Sequence, residues 1–317
     1  MKRTFFFIVP LLVICGLFSC GKEEPTAPQP GPAPEVVTTF GQGSGDPAVL
    51  AMMDQINEQL AAQGLNMAVE SIEFFSIGNG RPSNRIHQQP FRWVPNDPRR
   101  FAQGIDITYI VDQSAGATAS GLSNAQTEAA LDRAMTTWND EKALRKVEIV
   151  KRTDPLTDVT IFDAFFGFGG SGNPFAADIV NAGWLPRAFF EAVGGPGGGR
   201  GILAFSVTFI FVNPDGSPTD INGDNYIDTA LNEVYYNDTF GDPGDDRAGN
   251  PWGIDIQLPG IDVETVGLHE NGHSLEIGHF GPPPDAVMNP VYAGPRQSPM
   301  PIDKAGMHAV WSSWPNP

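Results

Sequence analysis

The chain has 317 residues, long enough for one large domain with a substantial hydrophobic core. Its 36 glycines and 29 prolines exceed the usual share of about 12% for the pair, which predicts a compact fold rich in loops. A formal net charge of −18 disfavours nucleic acid and anionic membrane surface as partners, and turns attention to cation sites among the Asp and Asn clusters.

Residues 1–19 read as an export signal, with Lys2 and Arg3 ahead of an apolar run from Phe5 to Phe18 that is short for a spanning helix. Leu17-Phe18-Ser19-Cys20 resembles a bacterial lipobox, in which Cys20 is lipidated and becomes the first mature residue. An ordinary cleaved signal with an incidental cysteine is the alternative. Without the signal the net charge is −20 and Cys20 is the only cysteine, so the folded part has no disulfide. Prolines 25, 28, 30, 32 and 34 followed by GQGSG make residues 20–45 a tether.

Asp46-Pro47 reads as a helix start, Val49, Met53, Ile56 and Leu60 recur at helical spacing, and Gly64 closes the helix. MAVESIEFFSI (67–77) reads as a strand. The segment 46–90 is a pro-segment or an N-terminal extension; the main domain is expected over 91–317. There, GIDITYIV (104–111) reads as a strand, and Ser123 with Gln126 forms a capping box for a helix with Leu131, Met135 and Trp138 on one face. KVEIVKR (146–152), VTIFDAFFG (159–167), AADIV (176–180) and GILAFSVTFIFV (201–212) read as strands. A helix is expected from Asp262, and another from Asp303 with Met307, Val310, Trp311 and Trp314 on one side.

His269 and His273 stand four residues apart on the helix from Asp262, so they share a face and can hold one Zn²⁺ at about 2.0–2.1 Å each. Glu270 lies beside the first, where it can serve as general base for a zinc-activated water and deliver the proton to a leaving amine. His279 reaches the same ion only if the helix ends and the chain doubles back. Three of the five histidines fall within these eleven residues, and three ligands with one open position is the pattern of a catalytic zinc.

HENGHSLEIGH (269–279) followed by DAVMNPVY (285–292) resembles the metzincin zinc proteases, the matrixin branch in particular, over about residues 100–314. The resemblance implies an α+β fold, with a mixed twisted sheet, an active-site helix and a C-terminal helix. It implies zinc on His269, His273 and His279, Glu270 as general base, and a methionine turn at Met288. Val287 to Tyr292 would form a wall of the substrate cleft, with Tyr292 lining the pocket after the scissile bond. GGPGGGRGILAFSV (194–207) resembles the glycine-rich approach to the family's substrate-binding edge, and SPMPIDKAGM (298–307) its closing helix. The sequence departs from the family at Glu276, where glycine is usual. Either Glu276 takes a positive φ at a cost of about 1–2 kcal/mol, with Gly278 as a second place to turn, or the helix continues and Glu276 joins the face of His269 and His273. Latency through a thiolate on zinc is unavailable to a fold without cysteine. The histidines of a second, structural zinc are missing, and His87 and His308 read as solvated.

DINGDNYID (220–228) places Asp220, Asn222, Asp224, the Tyr226 carbonyl and Asp228 at the spacing of the first part of a calcium loop. Asn225 stands where glycine is usual and Leu231 where the closing glutamate would be, so a Ca²⁺-stabilised loop is weighed against a plain Asp/Asn-rich turn. DPGDDRAGN (242–250) reads as a solvated loop. The expectation is a monomeric zinc endopeptidase acting on extracellular protein or peptide, exported and held at the outer membrane only by its lipid, or secreted. The rival is a zinc-holding surface protein without activity that binds glycan or protein, although such a protein has no need of Glu270. Zinc acquisition is disfavoured, since three histidines do not readily release the metal.

Overall fold

Two long apolar runs, residues 67–76 and 202–211, need partners for both their edges and their faces, and the sheet is built around them. The computed structural model describes residues 47–77, 89–114, 116–144, 146–153, 158–171 and 176–314. In chain order the elements are α1 (Pro47–Ala62), β1 (Met67–Ser76), β2 (Phe91–Arg92), β3 (Ile107–Val111), α2 (Asn124–Asn139), β4 (Ile149–Lys151), α3 (Phe162–Phe166) and β5 (Ile179–Leu185). They continue with α4 (Arg187–Gly194), α5 (Gly198–Gly201), β6 (Ile202–Phe211), β7 (Ile227–Asn237), β8 (Trp252–Gly253), β9 (Ile261–Asp262), α6 (Val263–Ser274) and α7 (Pro301–Trp311). The main sheet has seven strands in the order β1-β6-β7-β5-β3-β4, with β2 added alongside β7. β7, β5, β3 and β4 run parallel, whereas β6 is antiparallel to β7 and β1 antiparallel to β6. This is the expected α+β architecture with a mixed sheet.

A hydrophobic core lies on each face of the sheet. On one face Leu131, Met135 and Trp138 of α2 pack with Val266 and Leu268 of α6 and with Met307 and Trp311 of α7. On the other, Val49, Met53, Ile56 and Leu60 of α1 join Phe162, Phe189, Phe190, Phe205 and Tyr235. The capping box of Ser123 and Gln126 is present, and Gly64 takes φ 74° after α1. Asp46, His87 and the expected signal, lipid site and tether of residues 1–45, Cys20 among them, lie outside the described residues. No helix among those described is long and apolar enough to cross a membrane.

Two expectations change. VTIFDAFFG forms no strand: its middle is the one-turn helix α3. The carboxylate of Glu233 on β7 accepts the first N–H groups, from Ile161 at 2.7 Å and Phe162 at 3.0 Å, and Gly167 ends the turn at φ 74°. Helical spacing then brings Phe162 and Phe166 together, ring centroids 5.3 Å apart. The second change concerns β6, expected at the substrate-binding edge. It is covered by β1 from Met67 opposite Phe211 to Ser76 opposite Ile202, so β1 is the edge strand. Asn57 of α1 fixes the start of β1 by exchanging two hydrogen bonds with the backbone of Val69, at 3.0 and 2.6 Å. Residues 47–77 are thus woven into the same sheet and core as the rest.

Glu233 is fully buried, and burial, with Asp163 nearby, raises its pKa to about 8. A carboxyl whose pKa is higher folded than unfolded contributes stability that is full below its unfolded value of about 4.5 and is lost as pH rises through about 8. Asp163, raised to about 6 by burial first, adds in the same direction. The melting temperature should fall between pH 5 and 8, and Glu233→Gln should flatten that slope whatever it does to absolute stability. Thermal melts of both proteins across this range check it.

Candidate metal centre

Helix α6 is fixed at both ends by side chains from elsewhere in the fold. At its start the Asp262 carboxylate accepts the Thr265 N–H at 2.9 Å, while the Asp262 N–H donates to the Tyr292 hydroxyl at 2.9 Å. At its end the indole N–H groups of Trp93 and Trp311 donate to the carbonyls of Ser274 and Leu275, at 3.0 and 2.9 Å, satisfying acceptors the helix leaves open. In mid-helix the Trp138 indole N–H donates to the Leu268 carbonyl at 2.8 Å, tying α2 to α6.

The helix stops at Leu275 because Glu276 enters the left-handed region, φ 70°. The Ile277 N–H donates to the Gly272 carbonyl at 3.0 Å and the Glu276 N–H to the His273 carbonyl at 2.7 Å, the pair of bonds that closes a Schellman turn. The continued helix is therefore ruled out: Glu276 leaves the face of His269 and His273, and the chain returns. Gly278 is not used as the turn. The Glu276 side chain is buried and accepts a short hydrogen bond from the Thr229 hydroxyl on β7, and burial pushes its pKa well above the carboxylate range. A neutral, bonded side chain ties the end of α6 to the sheet, and this helps to offset the backbone cost.

The turn brings three imidazoles together. Their Nε2 atoms form a triangle, with His269–His273 at 3.1 Å, His273–His279 at 3.0 Å and His269–His279 at 3.2 Å. Nδ1 of His269 donates to the Val287 carbonyl at 2.7 Å and Nδ1 of His273 to the Ile277 carbonyl at 2.8 Å. A carbonyl can only accept, so both Nδ1 atoms carry the proton and both Nε2 atoms present lone pairs. Lone pairs at this separation repel unless a cation lies among them. A tetrahedral ion about 2.0–2.1 Å from each nitrogen would set them about 3.3 Å apart, close to what is seen. Burial, then the neighbouring histidines, pushes His269 well below its usual pKa, and burial and His279 bring His273 down to about 3. Neutral imidazole is the metal-binding form. This is the one group of three His, Cys, Asp or Glu among the described residues with the spacing to hold a metal.

Glu270 sits beside this triangle, 0% exposed, and neither carboxylate oxygen has a hydrogen-bond partner. Burial, and then Glu73, raises its pKa well above the usual range. A buried carboxylate without partners is costly, and a cation with water beside it would remove that cost. The donor set and the orphaned carboxylate both fit zinc.

Met288 lies under α6: a Cβ on Gly272 would stand 2.5 Å from its sulfur, so the glycine of HENGH is there for the methionine turn. Asp303 of α7 pins that turn by accepting the N–H groups of Val287 at 2.8 Å and Met288 at 3.1 Å. Val287 and Tyr292 are both buried. Val287 orients His269 through its carbonyl and Tyr292 braces the start of α6, so neither side chain faces an open pocket. The site is closed by β1. The Phe75 ring stacks on His269 at 3.9 Å, Glu73 Oε2 lies 3.2 Å from His279 Nδ1, and Ser76 bonds to the wall segment on both sides. Its N–H donates to the Pro290 carbonyl at 3.2 Å, and its carbonyl accepts the Tyr292 N–H at 2.8 Å. Asp303, Trp93, Trp311 and Glu73 were not among the expected site residues. A signal existed only for Glu73, an acidic residue between Ile72, Phe74 and Phe75 in a strand, where a buried charge demands a partner.

The family model of the matrixins matches residues 100–314, the span that carries this sheet, the histidine triangle and the methionine turn. The chain belongs to the matrixin family. No curated protein matches it. As a matrixin it is in a family of zinc metallopeptidases, and the triangle of His269, His273 and His279 is where the family's zinc would be held.

The 220–228 loop differs from its expected form at one end. Asp220 accepts the N–H groups of Asp224 and Asn225, both at 3.0 Å, Asn222 accepts from Asp224 at 3.4 Å, and Asn225 takes φ 68° as expected. Asp224 accepts the Tyr226 N–H at 2.9 Å. Asp228 lies at the buried end of the loop, where its carboxylate pairs with Arg99 at 2.7 Å and accepts the Thr219 hydroxyl at 2.6 Å and the Ile221 N–H at 3.0 Å. The 242–250 loop is solvated as expected, with no buried residue, and carries surface ion pairs of Arg187 with Asp245 and Arg200 with Asp246.

The turn at Glu276 sets the expected mutant behaviour. Glu276→Gly should keep one zinc per chain and change stability by no more than about 1 kcal/mol, backbone relief offsetting the lost Thr229 bond. His279→Ala should lose tight zinc. Metal content after dialysis and thermal melts measure both.

Proposed function

We propose that this matrixin is a zinc-dependent endopeptidase acting on extracellular protein or peptide. The observation that supports it best is the partnerless Glu270 carboxylate set against three imidazoles whose Nε2 atoms converge on one point. Zinc, when bound, supplies a Lewis acid that lowers the pKa of water and polarises a carbonyl. Glu270 would take the proton of the attacking water on a carboxylate oxygen and pass it to the departing amide nitrogen as the C–N bond breaks. The backbone of 287–292 would form one wall for the peptide. Access requires the closed site to open, and the natural seam is between the end of β1 and residues 290–292. There the ladder to β6 is already irregular, with a register shift between Phe75 and Ser76.

We further propose that the chain is exported and held by lipid on Cys20. For calcium the proposal is confined to the turn of Asp220, Asn222, Asp224 and the Tyr226 carbonyl, without Asp228. Millimolar calcium should then raise the melting temperature by a few degrees, and an unchanged melt in calcium and in chelator would remove it.

Cleavage of a mixed peptide library tests the enzyme. Glu270→Gln should lose at least about a hundredfold in kcat/KM while keeping its zinc. No cleavage by zinc-loaded protein, with or without residues 46–77, would instead favour the zinc-holding binding protein. The closed site, with Phe75 against His269, is the observation in that reading's favour.

A further inference from the structure

We infer that Glu73 is a positioning residue of the metal centre, holding the His279 imidazole from its Nδ1 side, although it lies on β1 and outside the matched residues 100–314. The inference rests on the three histidines binding zinc, and does not need the protein to be a peptidase.

The three ligands are not supported alike. His269 and His273 each give their Nδ1 proton to a backbone carbonyl, which fixes the tautomer and the tilt of the ring. His279 has no such carbonyl. Its Nδ1 is buried and has no aligned hydrogen bond, and the charged group facing it is Glu73 Oε2 at 3.2 Å. This is an ion-pair distance that a small ring rotation turns into a hydrogen bond. His279 is also the ligand that follows the turn, outside the helix that orders the other two, so it has most need of an external hold.

Glu73 is itself held. Its other oxygen accepts the Gln89 side-chain amide at 3.1 Å and the Ser71 hydroxyl at 3.5 Å, and its backbone is in the ladder opposite Ser206 of β6. Ser71, Glu73 and Phe75 alternate towards the histidines, while Ile72 and Phe74 enter the opposite core. The geometry makes it no fourth ligand, because it addresses Nδ1 while the triangle is formed by Nε2. Its charge acts through the ring: an imidazole whose outer N–H is held by a carboxylate is the stronger base towards a cation. Histidine ligands bring a dication no negative charge of their own, so a carboxylate one ring away matters more here than in a site with acidic ligands.

The test is zinc affinity of the full chain by chelator competition, together with the visible spectrum of the cobalt-substituted protein. Glu73→Gln, which keeps shape and removes charge, should bind one zinc about 10–100-fold more weakly and shift the cobalt bands as His279 loosens. Binding within threefold of wild type with an unchanged spectrum overturns the inference. If the glutamine variant does not fold, Glu73→Asp decides: its shortened reach should weaken zinc several-fold, and unchanged affinity overturns the proposal. Failure of the zinc reading is recognised separately, by a wild type that binds no better than His279→Ala, and that result overturns the inference too. Loss of peptide cleavage with zinc affinity intact would bear on the peptidase reading alone.

Discussion

The metal centre depends on a backbone reversal that side chains and tertiary contacts hold against a local preference. A helix presents residues four apart on one face, so α6 supplies two ligands unaided, but the third must come from chain that has left the helix. The reversal at Glu276 uses a left-handed residue where only glycine is free of cost, about 1–2 kcal/mol for any other. The Schellman bonds, the two tryptophan indoles on the last carbonyls and the Thr229 contact all act at this corner. Each is worth about 0.5–1.5 kcal/mol net, enough together to hold the turn before any metal bond is counted.

Electrostatics follow from that corner. Once His279 returns, three imidazoles and Glu270 are packed away from water, and burial keeps His269 and His273 neutral while penalising the Glu270 carboxylate charge. Glu73 and Glu276 share that side of the sheet and Glu233 is buried on the other, each managed differently. Glu73 remains charged against His279; Glu276 is neutral and bonded to Thr229; Glu233 is largely neutral and caps α3. Three buried carboxyl groups thus serve three structural tasks, and Glu270 alone is left without a partner. That asymmetry separates a group available for chemistry from groups consumed by the fold.

Much of this was legible because it is local. The capping box at Ser123, the apolar face of α1, the HExxH spacing and the methionine turn are each written within a dozen residues. What was not legible is long-range. Nothing in VTIFDAFFG announces that a glutamate seventy residues away will cap its N–H groups and wind it into a helix. The alternation of 71, 73 and 75 tells which side chains share a face, but not that this face meets the histidines. Asp228 fits a calcium spacing on paper, and only the fold brings Arg99 to claim it. The glycine absent at 276 was a correct warning of cost, resolved by partners distant in sequence.

The closed site need not be an inactive one, and magnitudes decide how much opening costs. Freeing the end of β1 from the wall segment breaks two backbone hydrogen bonds at Ser76 and one from its hydroxyl to the Pro290 carbonyl, about 0.5–1.5 kcal/mol net each, and exposes Phe75, about 1.5–3 kcal/mol. The sum is about 3–7.5 kcal/mol, so an open form would make up on the order of 1% of molecules at most, and far less at the upper end. A peptide entering the seam as an extended strand can remake both backbone bonds and place an apolar side chain where Phe75 lay, recovering most of that cost on binding. Substrates with a large apolar residue at that position would therefore be selected by exchange with Phe75 rather than by an empty pocket. Glu73, two residues further into the β6 ladder and beyond the register shift, can stay in place while this happens. The strand that closes the site would then also be the one that keeps its third ligand in position.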